Sequence, residues 1–253
     1  MNLKILSLNC QWAYNREVKN FLRKILETGF YDFLLLQEAN PDVLTATREA
    51  KDYEQLGAFN EGNQKQSWIC ILYKKNFILK QTSFVSFSGM SAEYSEYPQL
   101  GFLMGAFKCN GETMTLGSVH LHPSYHFRLR ALDIKLVKKH ILINADSKTP
   151  IIFGGDFNTG FPLEGRRMRK ILSPEFFDGT EKNGPTLNSR YTEHGTHFVS
   201  RAGNVLASAG IGISFRTDKI FIDRKTAGQH RVATRVFPDR ISDHSPVELI
   251  LKN

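Results

Sequence analysis

The residues Asp156 and Asn158 stand two positions apart where an apolar, β-branched run ends in two glycines, in TPIIFGGDFN at 149–158. Side chains of a strand alternate between its two faces, so this spacing predicts that the carboxylate and the amide point the same way. The glycines allow the backbone to turn and another group to approach closely. Turns also favour Asp and Asn, so the pair taken alone indicates little.

Other polar residues of the chain also stand at the ends of predicted strands. They are Asn9 after the run 3–9, Glu38 after 33–37, His120 after 115–119, Asp218 at the start of 218–222, and Asp243 with His244 just before the last apolar run, 246–251. Polar residues that leave a β scaffold at several strand ends are what an active site needs. The joint pattern therefore predicts one cluster of carboxylates, amides and imidazoles.

Each of these residues also has a plain structural interpretation. Asp218 or Asp243 alone is typical of a turn cap, Glu38 of a residue that leaves the core for water, and His120 of a half-buried, hydrogen-bonded histidine. Their joint occurrence favours the functional interpretation.

Six segments resemble the motifs of the endonuclease/exonuclease/phosphatase superfamily, which includes pancreatic deoxyribonuclease, apurinic endonucleases, inositol-polyphosphate 5-phosphatases and neutral sphingomyelinases. They are SLN (7–9), LLLQE (34–38), SVHLHP (118–123), GGDFN (154–158), TDKIF (217–221) and SDHSP (242–246). They occur in the family's order and span nearly the whole chain. The resemblance implies an α/β (α+β) fold of two β-sheets in a sandwich flanked by helices, the four-layer architecture of deoxyribonucleases.

The resemblance implies hydrolysis of a phosphate ester, and the residue types permit it. The sequence has no P-loop lysine motif, catalytic cysteine arrangement or G-x-S-x-G elbow, so water is the expected nucleophile. Glu38 is the expected metal ligand with Asn9 beside it, and Asp243 lies near the metal or holds a neighbour. Hard oxygen ligands favour Mg²⁺ over zinc, with Mn²⁺ as a substitute.

The remaining roles are also implied by the family. Asp156 is the general base, Asn158 holds the water or a phosphate oxygen, His244 donates to the phosphate, Asp218 orients His244, and His120 binds another phosphate oxygen.

The secondary structure expected around this site is a mixture of short strands and scattered helices. Strands are predicted at 3–9, 33–37, 68–74, 83–87, 101–108, 113–120, 150–154, 218–223, 231–237 and 246–251, and helices at 15–27, 41–51, 127–144 and 164–172. Apolar stripes at helical spacing are predicted to face the core: Val18, Phe21, Leu22, Ile25 and Leu26 in the first helix, and Leu129, Leu132, Leu136, Val137 and Ile141 in the third.

The composition suits one globular domain over residues 1–253, with 41% hydrophobic and 11% aromatic residues and no linker or repeat. No apolar run reaches the roughly 20 residues of a membrane span. The three cysteines are unclustered, which favours reduced thiols, and no signal-peptide pattern follows Met1. A cytoplasmic protein is expected, although a mature chain whose leader had been removed would look the same.

The formal net charge of +8 favours polyanionic partners, and nucleic acid is therefore the expected substrate. The basic cluster Arg166, Arg167, Arg169 and Lys170 either contacts a nucleic-acid backbone or covers one face of a helix. The alternative substrate is a lipid or small-molecule phosphate, such as sphingomyelin or an inositol phosphate. Against a lipid, the sequence shows no aromatic hairpin and no basic amphipathic helix that would dock on a bilayer.

Overall fold

The computed structural model describes residues 2–11, 15–58, 68–87, 100–122, 127–159, 162–181, 186–188, 214–215, 217–237, 242 and 244–253. Its strands are β1 (Leu3–Asn9), β2 (Phe33–Ala39), β3 (Tyr53–Ala58), β4 (Trp68–Lys74), β5 (Ile78–Ser86), β6 (Gly101–Cys109), β7 (Glu112–His120), β8 (Ile151–Asp156), β9 (Phe176–Asp178), β10 (Leu187–Asn188), β11 (Ser214–Phe215), β12 (Asp218–Asp223), β13 (Arg231–Val236) and β14 (Val247–Lys252). Its helices are α1 (Asn15–Thr28), α2 (Pro41–Arg48), α3 (Phe127–Asn144), α4 (Pro162–Leu172) and α5 (Arg224–Gln229).

The strands form two six-stranded sheets and one small pair. The first sheet has the order β13-β14-β1-β2-β4-β3, the second β5-β6-β7-β8-β12-β9, and β10 pairs with β11. Both large sheets are mixed, because β1 and β2 run parallel in the first and β7 and β8 run parallel in the second. The two parallel pairs place the carboxyl ends of four strands together, which is where the predicted site residues lie.

The strands of the sandwich are apolar on both faces because both faces are covered. In β1, Leu3 and Ile5 point into the core between the sheets, whereas Leu6 and Leu8 pack under α1 and α2. On the far side, α3 and α4 cover the second sheet. The result is four layers, helices–sheet–sheet–helices, which confirms the predicted architecture.

The predicted elements are present, with some shifted bounds and some omissions. The helix predicted at 41–51 ends at Arg48, and the strand predicted at 83–87 is the end of the longer β5. The sequence prediction missed β3, β9, β10, β11 and α5. No helix in the described part of the chain is long and apolar enough to cross a bilayer.

Helix α1 faces the core as predicted, and helix α3 does so only in part, since Val137 and Ile141 are buried as predicted. Val18, Leu22 and Leu26 of α1 are buried under the first sheet. In α3, Leu132 and Leu136 were predicted to be core residues, yet they are 59% and 38% exposed. The side of α3 that faces the sheet instead carries Arg130, Asp133, Ile134, Val137 and Ile141. The prediction failed because apolar residues surround α3 on all sides, so periodicity could not tell which side was covered.

Candidate active site

The site forms where six strand ends meet at one edge of the sandwich. In the first sheet Asn9, at the end of β1, is the register partner of Gln37 in β2, next to Glu38. In the second sheet His120, at the end of β7, is the partner of Asp156 at the end of β8. Asp218, at the start of the antiparallel β12, is the other partner of Asp156. His244 comes just before β14, which runs antiparallel to β1.

Glu38 reaches the site from a local irregularity of β2. The pairing of β2 with β4 shifts register between Leu36 and Ala39, and Glu38 adopts a left-handed φ of 51°. Such a conformation costs about 1–3 kcal/mol for a residue other than glycine and is concentrated at functional sites. Asn40 then caps α2 by accepting a hydrogen bond from the backbone N of Val43. The bulge and the cap together hold Glu38 at the sheet edge.

The glycines before Asp156 are required by the packing of β8. Gly155 has a φ of 147°, and a Cβ placed on it would lie 2.0 Å from the carbonyl oxygen of Val119 in β7. A Cβ on Gly154 would lie 2.8 Å from Ile220 of β12. No side chain fits at Gly155, so the backbones of β7 and β8 approach closely just before His120 and Asp156.

Asn9 holds the two carboxylates of the site together. Its Nδ2 donates to Glu38 Oε1 at 3.1 Å and to Asp156 Oδ2 at 3.0 Å. Its Oδ1 accepts from the backbone N of Gln11 at 3.0 Å, which fixes the orientation of the amide. In this orientation Asn9 turns its nitrogen, not its oxygen, toward the carboxylates, and its role as a metal ligand remains a prediction.

His120 lies against both carboxylates. Its Nε2 is 3.5 Å from Glu38 Oε1 and 3.8 Å from Asp156 Oδ2, and the side chain is buried. The ligand atoms of Glu38, His120 and Asp156 all lie within 4.8 Å of one another.

His244 is oriented by Asp218. Its Nδ1 lies 2.8 Å from Asp218 Oδ2, and its Nε2 lies 3.9 Å from Asp156 Oδ2. Thr217 donates its hydroxyl to the same Asp218 oxygen at 2.9 Å. Thr186 accepts from the backbone N of Asp218 at 3.0 Å. Nδ1 of His244 is thus held by Asp218, and Nε2 faces Asp156.

Ser242 links the end of β1 to the segment just before β14. Its hydroxyl lies 2.9 Å from the carbonyl oxygen of Asn9 and 2.8 Å from the carbonyl oxygen of His244, and it accepts from the backbone N of His244. The serine therefore places His244 relative to the end of β1.

Asn158 lies beyond the end of β8, so the alternation of a strand does not apply to it. It adopts a left-handed φ of 50°, and its backbone N donates to Asp156 Oδ1 at 2.7 Å. Its side-chain Nδ2 donates to the carbonyl oxygen of Leu121 at 2.9 Å. A compact turn, rather than an extended strand, therefore places Asn158 beside Asp156.

The two aspartates differ in their pKa. Burial raises the pKa of Asp156, and the charge of Asp218 raises it further, against the opposing effect of His244 and His120. Burial also disfavours the charged form of Asp218, but His244 and the hydroxyls of Thr186 and Thr217 hold its pKa below the ordinary value. The pKa of Asp156 therefore lies above that of Asp218.

The structure brings together six of the eight predicted site residues: Asn9, Glu38, His120, Asp156, Asp218 and His244. Asn158 lies next to them, and Asp243 lies outside the described residues. Sequence reasoning missed Thr186, Thr217 and Ser242. Thr217 and Ser242 stood inside motifs that had been singled out, but nothing in the sequence connected Thr186 to Asp218.

The donor set fits a divalent cation. Glu38 and Asp156 are two carboxylates held by one amide, with the oxygens close together and Asp156 buried. Two adjacent anions in such a place repel each other unless a positive charge joins them. Their oxygens, with the imidazole of His120, are ligands that a metal ion accepts.

The sequence matches the model of the Endonuclease/Exonuclease/phosphatase family over residues 6–244. The chain belongs to this family. No curated protein matches its sequence significantly.

Solved structures share the fold at low sequence identity. TDP2 of D. rerio in complex with a single strand DNA product has a TM-score of 0.77 and 17% identity, over 100% of this chain and 99% of that one. Truncated TDP2 of Caenorhabditis elegans has a TM-score of 0.75 and 16% identity, over 100% and 98%. A mannosyl-6-phosphatase of Bacteroides thetaiotaomicron has a TM-score of 0.72 and 17% identity, over 99% and 100%. At these identities the likeness concerns the fold.

Proposed function

We propose that this protein is a divalent-metal-dependent phosphodiesterase that hydrolyses nucleic acid by direct attack of water, in a single domain over residues 1–253. The observation that carries the proposal is the Asn9 amide, which holds Glu38 and Asp156 together at 3.1 and 3.0 Å in front of two imidazoles. A paired anionic site beside two phosphate-binding groups suits a metal-bound phosphate ester.

Asp156 acts as the general base. It is buried and its pKa is raised, so it accepts a proton from water more readily than an ordinary aspartate. Proton transfer of this kind typically contributes about 10²–10⁴ to the rate. Asn158, held beside Asp156 by a hydrogen bond of 2.7 Å, positions the water or a phosphate oxygen.

His244 and His120 stabilise the charge that grows on the phosphate oxygens. His244 receives its orientation from Asp218 at 2.8 Å, which leaves Nε2 facing the position of the phosphate near Asp156. A fixed donor of this kind needs no reorganisation during the reaction, and for that reason it lowers the barrier.

Glu38 is the proposed anchor of the metal, with Asp156 and Asn9 beside it and Asp243 as a further candidate. When bound, Mg²⁺ or Mn²⁺ would neutralise phosphoryl charge and stabilise the leaving oxygen. Without the metal, the two carboxylates would repel an anionic ester.

Nucleic acid is the proposed substrate class because the protein carries a formal net charge of +8. The fold is shared with D. rerio TDP2, whose structure contains a single strand DNA product. The same fold is shared with a mannosyl-6-phosphatase, so small phosphate esters belong in the test.

The decisive experiment is a hydrolysis panel. Plasmid DNA, single-stranded DNA, RNA, inositol phosphates, sphingomyelin and mannose 6-phosphate are incubated with the protein, with Mg²⁺ or with a chelator. We expect metal-dependent cleavage of a nucleic acid. Cleavage of only a small or lipid phosphate would overturn the nucleic-acid assignment, and activity that resists the chelator would overturn the metal assignment.

Asp156→Asn tests the base in the same assay. We expect hydrolysis to fall by about 10²–10⁴ while the circular dichroism spectrum stays unchanged. The matched control is Asp146→Asn, an exposed aspartate in the turn after α3, which should keep full activity. Full activity of Asp156→Asn would reject the base assignment.

A further inference from the structure

Helix α3 turns several apolar side chains toward solvent and two charged side chains, those of Arg130 and Asp133, toward the core. Five of the eight large hydrophobic residues exposed in the described part of the chain belong to α3 and its neighbour α4: Leu132, Leu136, Leu142, Ile143 and Leu163. Ile143 is 68% exposed and Leu132 is 59% exposed. Exposed apolar side chains that cluster in this way mark an interaction surface more often than scattered ones do.

The exposed apolar residues of α3 form a ridge. At 3.6 residues per turn, Leu132, Leu136 and Ile143 lie within about 40° of one another around the helix axis. The opposite side of the helix is fixed against the second sheet by Val137 and Ile141. The ridge therefore points straight away from the protein, and neither α4 nor the sheet covers it.

Cations flank this ridge. Arg128, Lys135 and Lys139 of α3 are exposed on the same side as the leucines, and α4 adds exposed Arg166, Arg167 and Lys170. Helix α4 packs beside α3, where Lys138 donates to the carbonyl oxygen of Ile171 at 3.0 Å. We call the outward side of these two helices the α3–α4 face.

Within α3 and α4, no acidic side chain that the structure describes points outward beside these cations. The sequence of the two helices contains two acids, Asp133 and Glu164. Asp133 is buried and lies 2.6 Å from His122 Nδ1. Glu164 accepts from buried Arg130 at 2.6 Å. Both acids are thus directed inward, and the outward charge of the two helices is wholly positive.

We propose that the α3–α4 face docks on a bilayer that contains anionic phospholipids. The sequence alone did not indicate this face, because apolar residues lie on all sides of α3 and only the packing shows which of them are exposed. The interface of such a bilayer accepts apolar side chains among its acyl chains and attracts lysines and arginines to its headgroups. Long basic side chains can reach the headgroups while the leucines between them insert. The charge of the face is complementary to anionic lipid, and its ridge shape needs no matching groove.

Other occupants match the face less well. Lysine is depleted from the buried core of protein interfaces, whereas here Lys135 and Lys139 stand between the leucines. Interfaces with nucleic acid are polar and positively charged, and exposed leucines add nothing to contacts with phosphates. A bilayer with anionic lipids can contact both the exposed leucines and the lysines of the face.

The test is sedimentation of the full chain with vesicles of phosphatidylcholine, with and without phosphatidylserine. We expect binding to the vesicles that contain phosphatidylserine, and at least about tenfold weaker binding to neutral ones. Leu132→Glu combined with Ile143→Glu should weaken the binding by at least about tenfold. Lys135→Gln and Lys139→Gln should each weaken it by about fivefold.

Ile78→Glu is the matched control, because Ile78 is 56% exposed but lies on β5, away from the ridge. It should bind vesicles like the wild type. All variants are checked for an unchanged melting temperature. Binding to neither vesicle, or equal weakening by Ile78→Glu, would overturn the proposal.

Two further results would assign the face to another occupant and overturn the proposal as well. One is a dimer, measured by light scattering, that Leu132→Glu with Ile143→Glu converts to a monomer. The other is binding of single-stranded DNA that falls with the lysine variants while vesicle binding stays unchanged.

Discussion

Two buried aspartate–histidine pairs in the described part of the chain look alike and occupy different surroundings. In the site, His244 Nδ1 lies 2.8 Å from Asp218. Beyond the end of β7, His122 Nδ1 lies 2.6 Å from Asp133 of α3. Both histidines are buried, and each aspartate belongs to a different element from its histidine. The short hydrogen bond alone does not distinguish a reactive histidine from a structural one.

The surroundings of each imidazole make the difference. His244 turns Nε2 toward Asp156, 3.9 Å away, at the meeting point of the strand ends. The ring of His122 stacks on Phe87, and its backbone carbonyl accepts from Arg130. Arg130 in turn is paired with Glu164 of α4. The first pair faces the cluster of site residues around Asp156. The second pair links the chain after β7 to α3 and α4.

Removing each histidine is the strongest way to test this contrast. His244→Ala should lower kcat by about 10²–10³, because one donor to the transition state is lost. His122→Ala should leave kcat of the folded enzyme within about tenfold and lower the melting temperature, because Asp133 loses its buried partner. Steady-state kinetics and thermal melts measure the two effects. Equal loss of kcat in both variants would break the distinction.

Replacing the aspartate of each pair by asparagine tests the same contrast between the two pairs. Asp218→Asn should lower kcat by about 10², because the neutral amide no longer stabilises a charged imidazole. Asp133→Asn should change kcat by less than about threefold. If Asp133→Asn proved as damaging to kcat as Asp218→Asn, His122 would have to be counted among the reacting groups.

The stability of the protein in acid offers a smaller effect. The pKa of Asp218 is lowered in the folded state, so its contribution to stability is present at neutral pH and is lost as the pH falls from about 4 through the lowered pKa. Asp218→Asn should therefore lose less stability than the wild type over this range. Urea unfolding at several pH values measures the difference, and parallel curves for the two proteins would contradict it.

The ion pair of Arg130 and Glu164 beside His122 is expected to affect stability more than hydrolysis. Arg130→Met leaves Glu164 without its buried partner and should lower the free energy of unfolding by about 3 kcal/mol. Adding Glu164→Leu should restore part of this loss, because the unpaired charge is removed as well. In both variants kcat of the folded protein should stay within about tenfold. Failure of the second substitution to restore stability would show that Arg130 acts through other contacts.

The positions of most site residues could be predicted from the sequence because each follows or precedes an apolar strand. Asn9, Glu38, His120 and Asp156 were predicted because each stands at the end of an apolar run and within a motif of the family. The bulge that turns Glu38 could not be predicted, because an extra residue in a strand leaves no mark in an apolar run. Thr186 was missed because its contact with Asp218 spans 32 residues and depends on the folded chain.

The fold, like the site, could be predicted from the sequence only in part. The strands buried on both faces were continuous apolar runs, and α1 had a clear stripe, so both were identified correctly. β3 was missed because its sequence, YEQLGA, contains Glu, Gly and Ala, which are residue types depleted in strands. In α3 the leucines outnumbered the positions that the sheet could cover, and only the packing of Arg130 and Asp133 shows which side is inside.

The contact between Gly155 and Val119 has a consequence for selectivity. Gly155 and Val119 are register partners in β8 and β7, and no side chain fits between them. The paired backbones of these two strands therefore carry both His120 and Asp156. Rotation of the His120 and Asp156 side chains can change the distance between these two residues only slightly. The distance between His120 and Asp156, and with it the size of a ligand that fits between them, should therefore be set by the backbone more than by side-chain rotation.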